Sequence, residues 1–167
     1  MLSTELDAQL LAFAVRGRNT WPELSVSDEE LARYVAARIS PGQSLAELEA
    51  GDLYLACAAA RGDAEAGARV RELCLPRLAA ALSSVGLHDA IDETAQQVLS
   101  ELLLPGDGGR RGIEAYRGSG PLAAFVKVIA LRTARRARQR TAREQPTQRD
   151  HLLERATEAP DPEVEGL

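Results

Sequence analysis

The segment PLAAFVKVIALRTARRARQRTAR (residues 121–143) contains the pattern that decides the fold. Its apolar residues recur at three- and four-residue spacing, the period of one helix face; they are Leu122, Phe125, Val126, Ile129 and Ala130. Pro121 suits the first turn of a helix, because its fixed φ matches the helical value. The segment therefore predicts a long helix from about Pro121 to Arg143. Its apolar stripe gives way to arginines, so we expect its C-terminal half to leave the body of the domain.

Helical spacing also extends through the chain before this segment. Aromatic residues make up only 4% of the chain, and Ala and Leu carry most of its apolar content, which favours helices over strands. Ser27, Ser44 with Glu47, and Asp63 are typical residues at helix starts. The predicted helices cover residues 2–16, 27 to about 39, 45–61 with a break allowed near Gly51, 63–86 with a boundary or kink at Pro76, and 90–104, with breaks at 17–22 and 105–109. We predict an all-α protein: a compact bundle of three or four helices over residues 45–143, joined by a helical N-terminal extension (1–49) that packs on it.

The net charge of −5 hides a strong segregation of charge along the chain. Residues 1–105 have 8 Arg/Lys against 16 Asp/Glu, a net of −8, whereas residues 106–143 have 10 against 2, a net of +8. Residues 144–167 have 2 against 7, and their prolines and acids predict a partly disordered linker. A basic block between two acidic ones indicates an interaction surface, with nucleic acid as the first candidate ligand.

The sequence offers little for an enzyme, a cofactor site or a membrane protein. His88 and His151 do not lie at metal-ligand spacing, and no Gly-x-Ser-x-Gly nucleophile motif is present. Cys57 and Cys74 form no Cys-x-x-Cys pair, so we expect two buried thiols in a reducing compartment. No apolar run reaches the length of a membrane span, and the first residues lack the pattern of a secretory signal. We therefore expect a cytoplasmic protein with no catalytic residue, metal or cofactor.

The basic block is the most informative feature for function. From Ala115 to Arg143 there are eight cations and no acid, unlike the mixed charges usual on a solvated helix. Arginine offers forked donors to phosphates and stacks on bases. The preceding stretch IEAYRGSGPL places Tyr116 and Arg117 among glycines, which we expect to form a mobile loop able to hold an unstacked base. The alternative is a structural role, in which the arginines pack on an acidic partner or on the acidic half of this chain.

Together, these pieces resemble region 2 of an extracytoplasmic-function sigma factor. The family has a helix with an acid pair and a Gln-Glu-Val core, a loop, and an aromatic-glycine-basic stretch leading into a long helix. The corresponding segments here are DETAQQVLSELL (92–103) and YRGSGPLAAFVKVIALRTARRARQR (116–140). Phe125 stands where tryptophan is common in the family, and Gln97 replaces an acid.

The resemblance implies two groups of functional residues. The helix of residues 89–104 would dock on the clamp helices of the largest subunit of core RNA polymerase, through Asp92, Glu93, Gln96, Gln97 and Glu101. The loop of residues 106–120 and the following helix would bind the non-template strand of the promoter −10 element, through Tyr116, Arg117, Ser119, Phe125, Lys127, Leu131, Arg132, Arg135, Arg136 and Arg138. An anti-sigma factor is a further partner that the resemblance allows.

The resemblance covers residues 50–143. The helix-turn-helix domain that recognises the −35 element in the family has no counterpart here. The two alternatives are that the sequence is a fragment, or that the protein has region 2 alone. The resemblance implies a protein that recognises and melts the −10 element at the start of transcription. The other expectation is a helical DNA-binding or polymerase-docking module, a decoy or adaptor, that does not itself initiate transcription.

Overall fold

A computed structural model describes residues 2–144 of the chain. Within this range there are six α-helices and no β-strand, so the predicted all-α fold is confirmed. The helices are α1 (Leu2–Thr20), α2 (Asp28–Ala36), α3 (Ala50–Ala60), α4 (Ala64–Ser84), α5 (Ile91–Leu103) and α6 (Leu122–Glu144). Short 3-10 turns occur at Leu45–Glu47, Asp107–Gly109 and Gly112–Ala115.

Helix α3 lies at the centre of the fold. Eight of its eleven residues are buried, and α1, α2, α4 and the Gly112–Ala115 turn pack around it. The hydroxyl of Tyr54 donates to the carbonyl of Leu24 and accepts from the amide of Val26, both at 3.2 Å. Because Phe13 of α1 and Ala134 of α6 belong to the same buried cluster, the N-terminal extension shares one core with the rest of the chain.

The predicted helix starts are confirmed at three places. The Oγ of Ser27 accepts from the amide of Glu30, and a carboxylate oxygen of Asp63 accepts from the amide of Ala66, each at 3.1 Å. The side chain of Glu47 accepts from the amide of Ser44 at 3.1 Å. These hydrogen bonds satisfy amides that a first helical turn leaves without a backbone partner.

Two helices continue through positions where an interruption is predicted. Gly17 was expected to end α1, but the helix continues to Thr20 because the missing side chain is what lets α1 approach α3. A Cβ on Gly17 would lie 2.6 Å from the ring of Tyr54. Pro76 brings no helix boundary, because α4 runs through it as one helix, with Pro76 on the exposed side.

The other boundaries differ from the sequence expectation by a few residues. Helix α2 ends at Ala36 rather than near Ile39. The predicted helix 45–61 divides into a 3-10 turn and α3, with the break just before Ala50, close to the one allowed near Gly51. The prediction for the acidic linker falls, from residue 145 onward, outside the described residues. No helix within residues 2–144 is long and apolar enough to cross a bilayer.

Helix α6 is held by the core at its N-terminal half and by α4 further along. A carboxylate oxygen of Asp52, on α3, accepts from the amide of Leu122 at 2.8 Å and so caps α6 from a neighbouring helix. Leu122, Val126, Ala130 and Ala134 are buried. The buried stripe extends past the first arginine, Arg132, to Thr133 and Ala134, about one turn further than expected, and beyond Ala134 no side chain through Arg143 is fully buried.

Candidate nucleic-acid and protein interfaces

The side of α6 that faces away from the core carries exposed cations. We call them the cationic face: Lys127, Arg132, Arg135, Arg136, Arg140 and Arg143. A polar helix surface usually mixes charges of both signs, and these six residues have no acid among them. The arrangement concentrates positive charge along one side of a rod, where a polyanion can follow it.

None of these cations is neutralised by the described part of the chain. Among residues 4–143, every ion pair lies between Arg18 and Glu72, in the N-terminal half. The alternative in which the arginines of α6 pack on the acidic half of the same chain therefore finds no support within those residues. Within those residues the cationic face is therefore open to an acidic partner or to a nucleic acid.

Arg138 is not part of the cationic face, because a contact within the fold holds its side chain. It is half-buried, and its guanidinium donates to the carbonyl of Val85 at the C-terminal end of α4. A cation is stabilised there by the partial negative charge of the helix end. Arg138 thus has a structural contact in addition to any nucleic-acid contact that the sequence predicts for it.

The second part of the loop, residues 111–120, is packed against the body of the protein, whereas residues 106–110 are exposed. The carbonyl of Gly118 accepts from the amide of Glu49 at 2.8 Å, and Ile113 is fully buried. Gly118 has a φ of 78°, and a Cβ there would lie 2.3 Å from Leu53 Cδ1. In contrast to the expected mobile loop, burial and hydrogen bonds hold the stretch around Tyr116 against α3, while Arg117 and Ser119 stay exposed.

The expected stacking residue Tyr116 requires a correction. Its side chain is buried, with 2% of the residue exposed, and its hydroxyl donates to the carbonyl of Gly120 at 2.5 Å. Its ring lies against that of Phe125, with centroids 5.5 Å apart and planes at 53°. Burial raises the pKa of the Tyr116 phenol. Tyr116 therefore belongs to the core and offers no open face to a base, and half-buried Phe125 is partly covered by it.

Helix α5 presents a second surface of opposite character. The predicted polymerase-binding residues are all exposed, and we call them the acidic-amide face: Asp92, Glu93, Gln96, Gln97 and Glu101. The other side of α5, with Val98 and Leu102, is buried in the core. Within residues 4–143 no ion pair involves the acids of this face, so its carboxylates are available to a partner.

Two arginines have structural roles that the sequence did not indicate. The guanidinium of Arg111 donates to the carbonyls of Ala60 and Leu103, at 2.7 and 2.8 Å, and so closes the C-terminal ends of α3 and α5 together. The guanidinium of Arg38 lies 3.4 Å from the centre of the Tyr34 ring and donates to the carbonyl of Glu114. Both residues anchor the segment before α6. Neither has a motif around it that distinguishes it from other arginines.

Comparison of the chain with family models, with curated proteins and with solved structures found no match. The cationic face and the acidic-amide face are therefore the features from which a function can be inferred.

Proposed function

We propose that this protein is a sigma-factor-like transcription initiation protein that binds core RNA polymerase and recognises the promoter −10 element. The observation that carries the proposal is the separation of two unpaired surfaces on neighbouring helices. Within the described residues, the cationic face of α6 and the acidic-amide face of α5 have no ion-pair partners. A protein that joins a nucleic acid to a protein partner needs two such surfaces.

The charges assign each surface to one partner. Exposed Asp92, Glu93 and Glu101 repel a phosphate backbone, so the acidic-amide face suits a protein, for which we propose the clamp helices of the largest polymerase subunit. The cationic face attracts phosphates and carries arginines suited to bidentate contacts, so it suits the non-template strand. An anti-sigma factor would compete for either surface. Because the polymerase and its promoters lie in the cytoplasm, the proposal also implies that location.

The experiment is a pair of double variants with matched controls. Asp92→Ala with Gln96→Ala should lower association with purified core polymerase and leave binding of a single-stranded −10 oligonucleotide near normal. The control Asp7→Ala with Gln9→Ala removes the same groups from exposed positions on α1, and should leave polymerase association unchanged.

The reciprocal variant addresses the nucleic acid. Arg132→Ala with Arg135→Ala should weaken strand binding and open-complex formation while polymerase association persists. Arg71→Ala with Arg77→Ala, at exposed positions on α4, serves as the charge-matched control. Loss of strand binding in the Asp92 and Gln96 variant, with polymerase association retained, would contradict the proposed assignment of surfaces.

A second candidate is a polymerase- or DNA-docking module that does not initiate transcription. The buried Tyr116 and the packed loop favour it, because a base flipped from the duplex needs an open aromatic face or a loop free to close on it. Reconstituted transcription, with and without a separate domain that recognises the −35 element, distinguishes the candidates. Specific transcripts support the sigma-like function, and polymerase binding without transcripts supports the docking module.

A further inference from the structure

A small groove lies between α6 and the C-terminal end of α4. Val85, Leu131, Ala134, Arg135 and Arg138 line a space of about 110 Å³. Val85, Leu131 and Ala134 supply an apolar floor, and Arg135, which is exposed, and Arg138, which is half-buried, line the same groove. The groove therefore combines an apolar floor with two cationic side chains.

The groove is separate from the loop of residues 106–120. Arg135 is thirteen residues beyond Leu122, the first residue of α6, which places the groove roughly 20 Å along the helix axis from the loop. Exposed Arg132 and Arg136 of the cationic face flank Arg135 in sequence. A strand that follows the cationic face therefore passes over the groove.

The two arginines that line the groove differ in how firmly their side chains are held before a ligand binds. Arg138 is held in place by its hydrogen bond to the carbonyl of Val85, so its position is set before any ligand arrives. Arg135 is exposed and has no ion pair within residues 4–143. One fixed and one movable guanidinium next to an apolar floor can hold a flat ring together with the phosphate attached to it.

We propose that this groove receives one unstacked base of a single-stranded nucleic acid. The inference rests on the proposed function and adds to it a binding site for a nucleotide. An enclosed apolar cavity of about 150 Å³ admits benzene. This groove of about 110 Å³ is smaller but open to solvent, so it accepts part of an aromatic ring, with the rest of the ring outside it. The lining favours a nucleotide over an uncharged side chain, because two arginines lie beside the apolar floor and the exposed one, Arg135, can contact a phosphate.

The test compares two DNA strands of equal length and charge. One is a fluorescein-labelled oligothymidylate, and the other has the same sugar-phosphate backbone with no bases. The full-length protein should bind the oligothymidylate about tenfold more tightly, as expected for one base contact. Equal affinities for the two strands would overturn the inference.

Two variants locate the base contact in the groove. Ala134→Leu adds side-chain volume to the floor of the groove. Leu131→Ala removes apolar surface from the same floor, at a half-buried position where folding is easily retained. Both should remove most of the tenfold preference. Val128→Ala, on the same helix at an exposed position outside the groove, should keep it. Retention of the preference in Leu131→Ala and in a folded Ala134→Leu protein would overturn the inference.

Co-purification with core polymerase separates the two proposals. A wild-type protein that binds polymerase but shows no preference for bases refutes the groove and leaves the proposed function standing. A protein that binds bases through the groove but does not bind polymerase refutes the sigma-like function alone. If Ala134→Leu weakens polymerase association and leaves strand binding intact, the groove receives a side chain of the protein partner, and the inference is overturned.

Discussion

Replacement of Gly118 by alanine should destabilise the fold through its positive φ and through one close contact. The φ of 78° costs an L-residue about 1–2 kcal/mol. The added Cβ would lie 2.3 Å from Leu53 Cδ1 and 2.5 Å from its Cγ, and Leu53 is fully buried in the central helix. Forcing a carbon into such a site costs about 1–3 kcal/mol. The free energy of unfolding should therefore fall by about 2–5 kcal/mol.

Urea denaturation followed by far-ultraviolet circular dichroism measures this loss. With a denaturant dependence of about 2 kcal/mol per molar urea, the midpoint should fall by about 1–2.5 M. Gly108→Ala is the matched control, because Gly108 has a φ of 80° but nothing within 4 Å of an added Cβ. It should show the conformational cost alone, about 1–2 kcal/mol.

A third variant isolates the contact itself. Leu53→Ala removes the atoms that would collide with the new Cβ, so Gly118→Ala added to it should cost no more than Gly108→Ala costs in the wild-type protein. Equal losses for Gly118→Ala and Gly108→Ala in the wild-type background would refute the reasoning, since the close approach of the loop to α3 would then have no energetic effect.

Three further predictions concern the cap, the cationic face and the thiols. Asp52→Ala removes the acceptor for the amide of Leu122 and should cost about 1 kcal/mol, seen as a fall in Tm of about 2–4 °C; an unchanged Tm would show that the cap is unimportant. A plot of log affinity for a single strand against log salt should have a slope of up to about −4 for six exposed cations, and each Arg→Ala on the cationic face should reduce its magnitude by about 0.7; a flat plot would contradict phosphate binding. Burial raises the pKa of Cys57 and Cys74 from 9.0 to about 12, so both thiols should resist a thiol reagent at pH 8 until the protein is unfolded. Because the thiols of the unfolded chain ionise first, the free energy of unfolding should also decline as the pH rises above about 9, and fast labelling of the native protein would show that the thiols are accessible.

The sequence predicted those features that depend on neighbouring residues. Ser27 and Asp63 cap helices through their own side chains, and residue type and spacing are enough to identify them. The core stripe of α6 and the exposed side of α5 follow from the helical period in the same way. The candidate surfaces were predictable for this reason, since long polar stripes on amphipathic helices point away from the core.

Features that depend on tertiary contacts could not be predicted locally. Gly17 is typical of a helix end, yet it lies inside α1 because Tyr54, thirty-seven positions later, occupies the space of its missing side chain. Tyr116 among glycines is typical of an exposed loop, and only its contacts with Gly120 and Phe125 place it in the core. In both cases the residue that determines the environment is a tertiary contact, which the spacing of residues along the sequence does not reveal.

The central helix α3 and the cationic face differ in how many of their side chains are buried, and this affects which positions of the chain tolerate substitution. Nearly every position of α3 is enclosed, so a larger residue at Ala56 or Ala58 disturbs packing on some side of the fold. The arginines of the cationic face contact no acid within residues 4–143, so exchanging one of them changes the surface charge at little cost in stability. The charge pattern of α6 can therefore change by mutation while α3 keeps the architecture constant.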